Sequence, residues 1–232
     1  MSNNESRVIV ALDYSDQKQA LEFVAKTSPE QCKLKIGKEL FTRVGPQLVE
    51  KLVSKGFDVF LDLKFHDIPN TVKKAVYAAA QLEVWMVNVH AMGGQSMLSA
   101  AREGIDMAGN RHPFLIAVSV LTSLKSADLA QLGISDDLPH YVKRLAGMAI
   151  KEGLDGLVCS AQEACLLRET FGNAPLLVTP GIRPDWAATD DQHRIMTPKQ
   201  AMQKGASYLV IGRPITLHQN PAEALEMINQ SL

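Results

Sequence analysis

Val59-Phe60-Leu61-Asp62-Leu63-Lys64-Phe65-His66-Asp67-Ile68-Pro69-Asn70-Thr71 is the stretch that decides the fold. Its first half is an apolar run of the kind needed by a parallel strand buried on both faces. Asp62 and Lys64 interrupt that run at alternate positions. Strand periodicity therefore puts both charges on one face and Leu61, Leu63 and Phe65 on the other. Asp67 follows just past the strand, and Pro69 with Asn70 marks a turn and a helix start. Charges at the end of a core strand are costly unless they compensate one another, and clusters of this kind are usually functional. The stretch is expected to be the catalytic centre.

The same strand-then-helix unit recurs on either side. Val8 to Leu12 is an apolar run ending in Asp13, and Ser15 or Asp16 can cap a helix with Ala20, Leu21, Val24 and Ala25 on its apolar face. Lys33 to Gly37 is a second strand containing Lys35, followed by a helix from about Glu39 to Ser54 that is interrupted near Gly45-Pro46. After the opening stretch comes a helix with Val72, Ala75, Val76 and Ala79 on one face. Val84 to His90 is a fourth strand, broken by Gly93-Gly94 before a helix carrying Met97, Leu98, Ala101 and Ile105. Phe114 to Leu121 is a fifth, followed by a loop rich in Ser, Asp and Gly and a helix with Tyr141, Val142, Leu145 and Ala149.

Gly156 to Cys159 and a helix from Glu163 to Phe171 form a sixth unit; Leu176 to Val178 and Tyr208 to Ile211 are the last two strands. Between these two strands, a long loop from Thr179 to Met196 precedes Thr197-Pro198-Lys199-Gln200, a capping box with proline at the first helical position. Asn220-Pro221 starts the final helix. Strict alternation of strand and helix, at roughly thirty residues per unit, predicts an α/β fold of the closed (β/α)8 TIM-barrel type. Residues 1–232 are expected to form that single domain.

Composition is consistent with this. Apolar residues make up 46% and charged residues 21%, which sets aside disorder. The net charge is -1 with no basic run, so neither nucleic acid nor an anionic membrane is expected as a partner. No apolar run approaches the length of a bilayer span, and the polar Met1 to Arg7 lacks the core of a signal peptide. Cys32, Cys159 and Cys165 have neither disulfide-framework numbers nor zinc spacing, which fits a cytoplasmic, reducing setting.

In a barrel of this class the active face lies at the C-terminal ends of the strands. The polar residues that topology sends there are Asp13, Lys35, Asp62, Lys64, Asn88, His90, Thr122, Ser123, Arg183, Gln192, Gly212 and Arg213. Taken singly, most have a plain structural reading. Asp62 and Lys64 alone could be an ion pair closing the barrel end, Asp67 a turn residue, Thr71 a first-turn helix residue, and Arg183 and Arg213 surface charges. His66 and His90 fit no familiar zinc spacing and read as hydrogen-bonded histidines that orient a neighbour.

Taken together, these segments closely resemble the orotidine 5'-monophosphate decarboxylase family in its bacterial form. The resemblance is carried by Leu12-Asp13, Lys35-Ile36-Gly37, Asp62 to Thr71, Val89-His90-Ala91, Val120-Leu121-Thr122-Ser123 and Thr179-Pro180-Gly181-Ile182-Arg183-Pro184. Asp191-Gln192-His193-Arg194, Thr197-Pro198 and Ile211-Gly212-Arg213-Pro214 continue it, so it spans nearly the whole chain. It implies a barrel, cofactor-free and metal-free decarboxylation of orotidine 5'-monophosphate to uridine 5'-monophosphate, and a homodimer. By the same resemblance Lys64 would protonate C6, flanked by Asp62 and by Asp67 from the neighbouring subunit, with Lys35 completing an alternating charge array. Asp13 and Thr71 would contact the ribose region, Thr122 the pyrimidine, and Arg183, Gln192, Gly212 and Arg213 the pyrimidine edge and phosphate end. Pro180 and Ile68 belong to the same implied substrate site, Ile68 reaching across the dimer interface with Asp67.

Rival readings remain open at this point. A sugar-phosphate decarboxylase or synthase of the related barrel group would reuse the Asp-x-Lys-x-x-Asp strand with a divalent metal. A Schiff-base aldolase would use Lys64 as nucleophile, but neighbouring carboxylates favour its ammonium form and make it a poor one. A silent nucleotide-binding homologue would bind without turnover.

Overall fold

The structure is a computed structural model that describes residues 6–109, 112–187 and 196–232. Eight parallel strands pair in chain order and the eighth closes on the first. They are β1 (Val8–Ala11), β2 (Lys33–Gly37), β3 (Val59–Phe65), β4 (Met86–His90), β5 (Phe114–Val118), β6 (Gly156–Val158), β7 (Leu176–Thr179) and β8 (Tyr208–Ile211). The expected TIM barrel is what forms.

Helices connect the strands around the outside. α1 (Gln17–Val24) is capped by Asp16, whose side chain accepts from the Gln19 N–H. The second connection splits into α2 (Lys38–Val44) and α3 (Pro46–Ser54) at Gly45, whose φ of 72° ends one helix before Pro46 opens the next. α4 (Pro69–Gln81) follows β3, and α5 (Gln95–Asp106) follows β4 after a 3-10 turn at Ala91–Gly93. α4 and α5 approach so closely that a Cβ on Gly104 would lie 2.4 Å from the Lys73 carbonyl oxygen. α6 (Ser126–Gln131) and α7 (Leu138–Lys151) lie between β5 and β6, and α8 (Ala161–Phe171) follows β6. α9 (Pro198–Gln203), α10 (Arg213–Thr216) and α11 (Pro221–Gln230) complete the chain. No helix of the described residues is long and apolar enough to cross a membrane.

The two faces of the barrel explain its apolar strands. Outward residues such as Val8, Val10, Leu34, Ile36, Leu61, Val87 and Leu115 join one large core with the helices. Inward residues Ile9, Phe60, Met86, Ile116, Val178 and Tyr208 fill the interior as a second cluster. Alternation along each strand then fixes what stands above that layer. On β2, β3 and β4 it is Lys35, Asp62 and Asn88, all buried.

Several boundaries differ from the sequence expectation. β5 stops at Val118, not Leu121, because its partners His90 on β4 and Val158 on β6 are the last that pair with it. Leu121 is instead exposed at the barrel mouth. β4 begins at Met86, after Glu83 with φ 55°, and β1 and β6 each end one residue early. α6 lies in the stretch read as loop: six residues with only Leu129 buried give too little periodicity to detect. The capping box at Thr197 forms as expected, Thr197 Oγ1 accepting from the Gln200 N–H at 3.2 Å and Gln200 Oε1 from the Thr197 N–H at 3.1 Å.

Candidate active site

β3 does not finish as a regular strand. Its ladder pairs Leu61 with Val87 but Phe65 with Val89, so four residue steps on β3 span two on β4. Lys64 lies within this irregularity with φ 52°, in the left-handed region that non-glycine residues seldom occupy. Its backbone N–H donates to Asn88 Oδ1 on β4 at 2.8 Å. Its Nζ reaches Asp62 Oδ1 at 2.5 Å, so the expected same-face pairing of Asp62 and Lys64 is present.

From this pair the charges alternate across three strands. Lys35 Nζ lies 3.3 Å from Asp62 Oδ2 and 3.3 Å from Asp13 Oδ1. The order Asp13, Lys35, Asp62, Lys64 is thus minus, plus, minus, plus, running from the exposed end of β1 into the mouth. Asn88 adds a neutral donor, its Nδ2 lying 2.7 Å from Asp62 Oδ1. Burial by itself pushes the Asp62 carboxyl up, but Lys35, Lys64 and the hydrogen bonds from Lys64 and Asn88 outweigh it. The net effect holds Asp62 below the usual carboxylate range, and therefore ionised.

A cavity of about 280 Å³ opens over this array. Phe60 forms its floor, and Asp13, Lys35, Asp62 and Lys64 line one side. Thr122 after β5, Pro180 and Arg183 after β7, and Gly212 and Arg213 after β8 line the remainder. Arg183 is buried and held at both ends: its N–H donates to the Met196 carbonyl at 3.0 Å and its Nη1 to the Ile182 carbonyl at 3.1 Å. The first of these contacts, with the Ile182–Met196 bridge, ties the two ends of the seventh loop together. Gly181, with φ 81°, turns the chain out of β7 into that loop. A Cβ on Gly212 would meet only ordinary contacts, the nearest being Ala11 Cβ at 3.5 Å, so the barrel wall does not itself require glycine there.

Nine of the thirteen sequence-expected site residues therefore line one cavity. Three do not. Asp67, Ile68 and Thr71 are exposed at the start of α4, with Ile68 68% accessible. The Asp67 carboxylate accepts from the Ile68 N–H at 2.6 Å and does not join the array of its own chain. The fourth, Gln192, lies outside the described residues.

A second opening, lined by Gly37, Lys38, Glu39 and His90, shares Asp13, Lys35, Asp62, Lys64 and Leu121 with the first. His90 stacks obliquely on His66 with ring centroids 5.4 Å apart. Burial first, then the nearby His66, Lys38 and Lys64, pushes His90 down to about 4, against an opposing effect of Asp62. It is therefore neutral at pH 7. Among the described residues no three His, Cys, Asp or Glu side chains converge as a metal-binding group. Cys159 in the cavity wall is a free thiol whose pKa is raised by burial and by Glu163, so it is a poor nucleophile. Sequence reasoning placed Asn88 at the mouth without a role. Its signal was available: an amide in the middle of a strand that must be buried on both faces needs partners.

Comparison with known proteins agrees with this geometry. The family described as "Orotidine 5'-phosphate decarboxylase / HUMPS family" matches residues 6–228. An orotidine 5'-phosphate decarboxylase of Escherichia fergusonii is 56% identical over 228 residues, covering 98% of this chain and 93% of that protein. One from Pseudoalteromonas atlantica is also 56% identical, over 98% of this chain and 99% of its own. Among solved structures, orotidine 5'-phosphate decarboxylase from Lactobacillus acidophilus superposes with a TM-score of 0.88 at 38% identity, covering 98% of this chain and 99% of that one. An uncharacterized conserved protein from Geobacillus kaustophilus gives 0.85 at 38% identity, covering 97% and 99%. With both sequence and barrel matched along nearly their full length, the chain belongs to the orotidine 5'-phosphate decarboxylase / HUMPS family.

Proposed function

We propose that the chain converts orotidine 5'-monophosphate to uridine 5'-monophosphate and carbon dioxide without a cofactor, with Lys64 as the cation and proton donor at C6. Family membership makes it a carboxy-lyase of the orotidine 5'-phosphate decarboxylase type. The observation that carries the finer assignment is the Lys64 ammonium, fixed by Asp62 at 2.5 Å in the wall of a cavity whose opposite rim bears Arg183 and Arg213.

The reaction needs little else. Breaking the bond from C6 to the carboxylate leaves an electron pair in the plane of the pyrimidine, where the ring cannot delocalise it. A cation held beside C6 stabilises that pair, and its proton then forms the new C6–H bond, leaving a neutral amine that solvent reprotonates. Unit charges about 4 Å apart at an effective dielectric of about 20 interact by roughly 4 kcal/mol before desolvation is subtracted. Asp62 and Lys35 hold the charges in place before the bond breaks, so little reorganisation is needed during the reaction. Thr122 would meet the pyrimidine and Asp13 the ribose. Arg183, Gly212 and Arg213, on the loops after β7 and β8, would take the pyrimidine edge and the phosphate, with Gln192 and Pro180.

We infer in addition that two chains associate, each lending Asp67 and Ile68, with Thr71, to the partner's site. What supports this is the exposure of all three residues outside their own cavity and the second opening beside Lys64, which leaves a way in. A metal-dependent sugar-phosphate reaction is less well supported, because Lys35, Lys64 and Asn88 already occupy both Asp62 oxygens. The deciding experiment follows the ultraviolet absorbance of orotidine 5'-monophosphate with purified protein, in chelator, beside Lys64→Ala. The expected result is loss of the substrate band with the wild-type chain and none with the variant. Turnover that chelator abolishes, or that Lys64→Ala retains, sinks the assignment.

A further inference from the structure

We propose that Asn88 is a positioning residue for the charge array, locking Lys64 in its left-handed backbone conformation while fixing the rotation of Asp62. The inference deepens the decarboxylase reading and rests on it. Asn88 is fully buried, lines neither opening, and so touches no substrate. Its two hydrogen bonds both end on the array: Nδ2 donates to Asp62 Oδ1 at 2.7 Å, and Oδ1 accepts from the Lys64 N–H at 2.8 Å. The amide orientation follows from its partners, because a backbone N–H can only donate and the ionised Asp62 can only accept.

Each half of the amide answers a separate problem created by the irregular end of β3. Between Leu61 and Phe65 the ladder with β4 is interrupted, and the Lys64 N–H lies inside that gap at a backbone angle that lysine disfavours. An unpartnered N–H there would favour return to a regular strand. The Asn88 oxygen gives it a partner from the neighbouring strand. Asp62, for its part, must divide two oxygens among three donors. Asn88 and Lys64 share Oδ1 and leave Oδ2 to Lys35 at 3.3 Å, so the amide selects which oxygen faces which lysine. No other uncharged side chain is hydrogen-bonded to Asp62 or to the Lys64 backbone among the described residues.

The test is Asn88→Ala and the isosteric Asn88→Asp, with the wild-type chain assayed alongside. Asn88→Ala should lower kcat by about 100-fold, the cost typical of an ångström-scale displacement of a reacting group, while KM for orotidine 5'-monophosphate stays within about threefold. Asn88→Asp can donate to Asp62 only while protonated. Buried beside Asp62, with Lys64 as the facing cation and His90 on the same strand, its activity relative to wild type should rise as pH falls. A kcat within threefold of wild type for Asn88→Ala, or parallel pH profiles for Asn88→Asp and wild type, overturns the proposal. A wild-type chain that leaves the nucleotide untouched defeats the decarboxylase reading instead. The positioning claim is then decided by the crystal structure of Asn88→Ala: positive φ retained at Lys64 with Nζ still on Asp62 refutes it, and a regularised β3 supports it.

Discussion

At the scale of the residue, Lys64 combines an ion-paired side chain in the cavity wall with an uncommon backbone. Its φ of 52° is shared among the described non-glycine residues only by Glu83, which lies in a turn before β4. A side chain in that region costs about 1 kcal/mol or more, relative to glycine, through contact between Cβ and the backbone. This can be separated from the ion pair with Asp62 by comparing two variants that both lack the amine. Lys64→Gly should be more stable than Lys64→Ala by roughly 0.5–1 kcal/mol, although glycine ordinarily destabilises strands, and both should be inactive. Urea unfolding of the two proteins measures the difference. A less stable glycine variant would show that the left-handed conformation is not required at this position. The sequence carried the same-face placement of Asp62 and Lys64 but not this strain. Nothing at position 64 marks a positive φ, because the usual marker, glycine, is absent and a lysine stands in its place.

At the scale of the element, β2 carries one buried lysine at each end of the barrel, and only Lys35 lines the cavity. Lys33 and Lys35 point to the same interior two residues apart, and both are buried. Lys33 sits at the N-terminal end, with Nζ 2.6 Å from Asp58 Oδ2 and 4.5 Å from the centroid of Trp85, which packs edge-on against Phe114 and Tyr208. Lys35 sits at the C-terminal end, between Asp13 and Asp62. Asp58 remains 47% exposed and can be hydrated once its partner is gone. Lys33→Met should therefore change stability by no more than about 1 kcal/mol in either direction and leave kcat within twofold, whereas Lys35→Met should lower kcat by at least about 100-fold. Thermal unfolding and steady-state rates on the two variants check this, and equal loss of activity in both would mean that the two ends of the barrel are not independent. The strand order and the end at which the cavity opens were legible because apolar runs, spacing and barrel topology suffice for both. The bond from Asn88 to Asp62 was not, since pairing between β3 and β4 depends on register, which a sequence does not state. The short helix α6 escaped for a different reason, its single buried residue leaving no period to read.

At the scale of the whole molecule, three of the described site residues expected from the sequence lie outside the cavity of their own chain: Asp67, Ile68 and Thr71, which cluster at the start of α4. Ile68 is 68% exposed beside the exposed Asp67, so both are accessible to a partner surface. If that surface is the mouth of a second copy, two-fold symmetry makes the exchange reciprocal: each chain gives Asp67 and receives Asp67. Mixing then has a numerical consequence. A Lys64→Ala homodimer has no amine at either site, and an Asp67→Ala homodimer has no shared carboxylate. In a heterodimer of the two, one site combines Lys64 from one chain with Asp67 from the other and is whole, while the second lacks both. Random exchange at equal concentrations makes half the dimers hybrid, so about a quarter of all sites should be intact and activity should recover to about 25% of wild type per site. Sharing within one chain predicts none, because neither parent chain carries both residues. Activity that stays at the level of the parents, once subunit exchange has been shown by mass spectrometry, would return Asp67 to the role of a turn residue before Pro69.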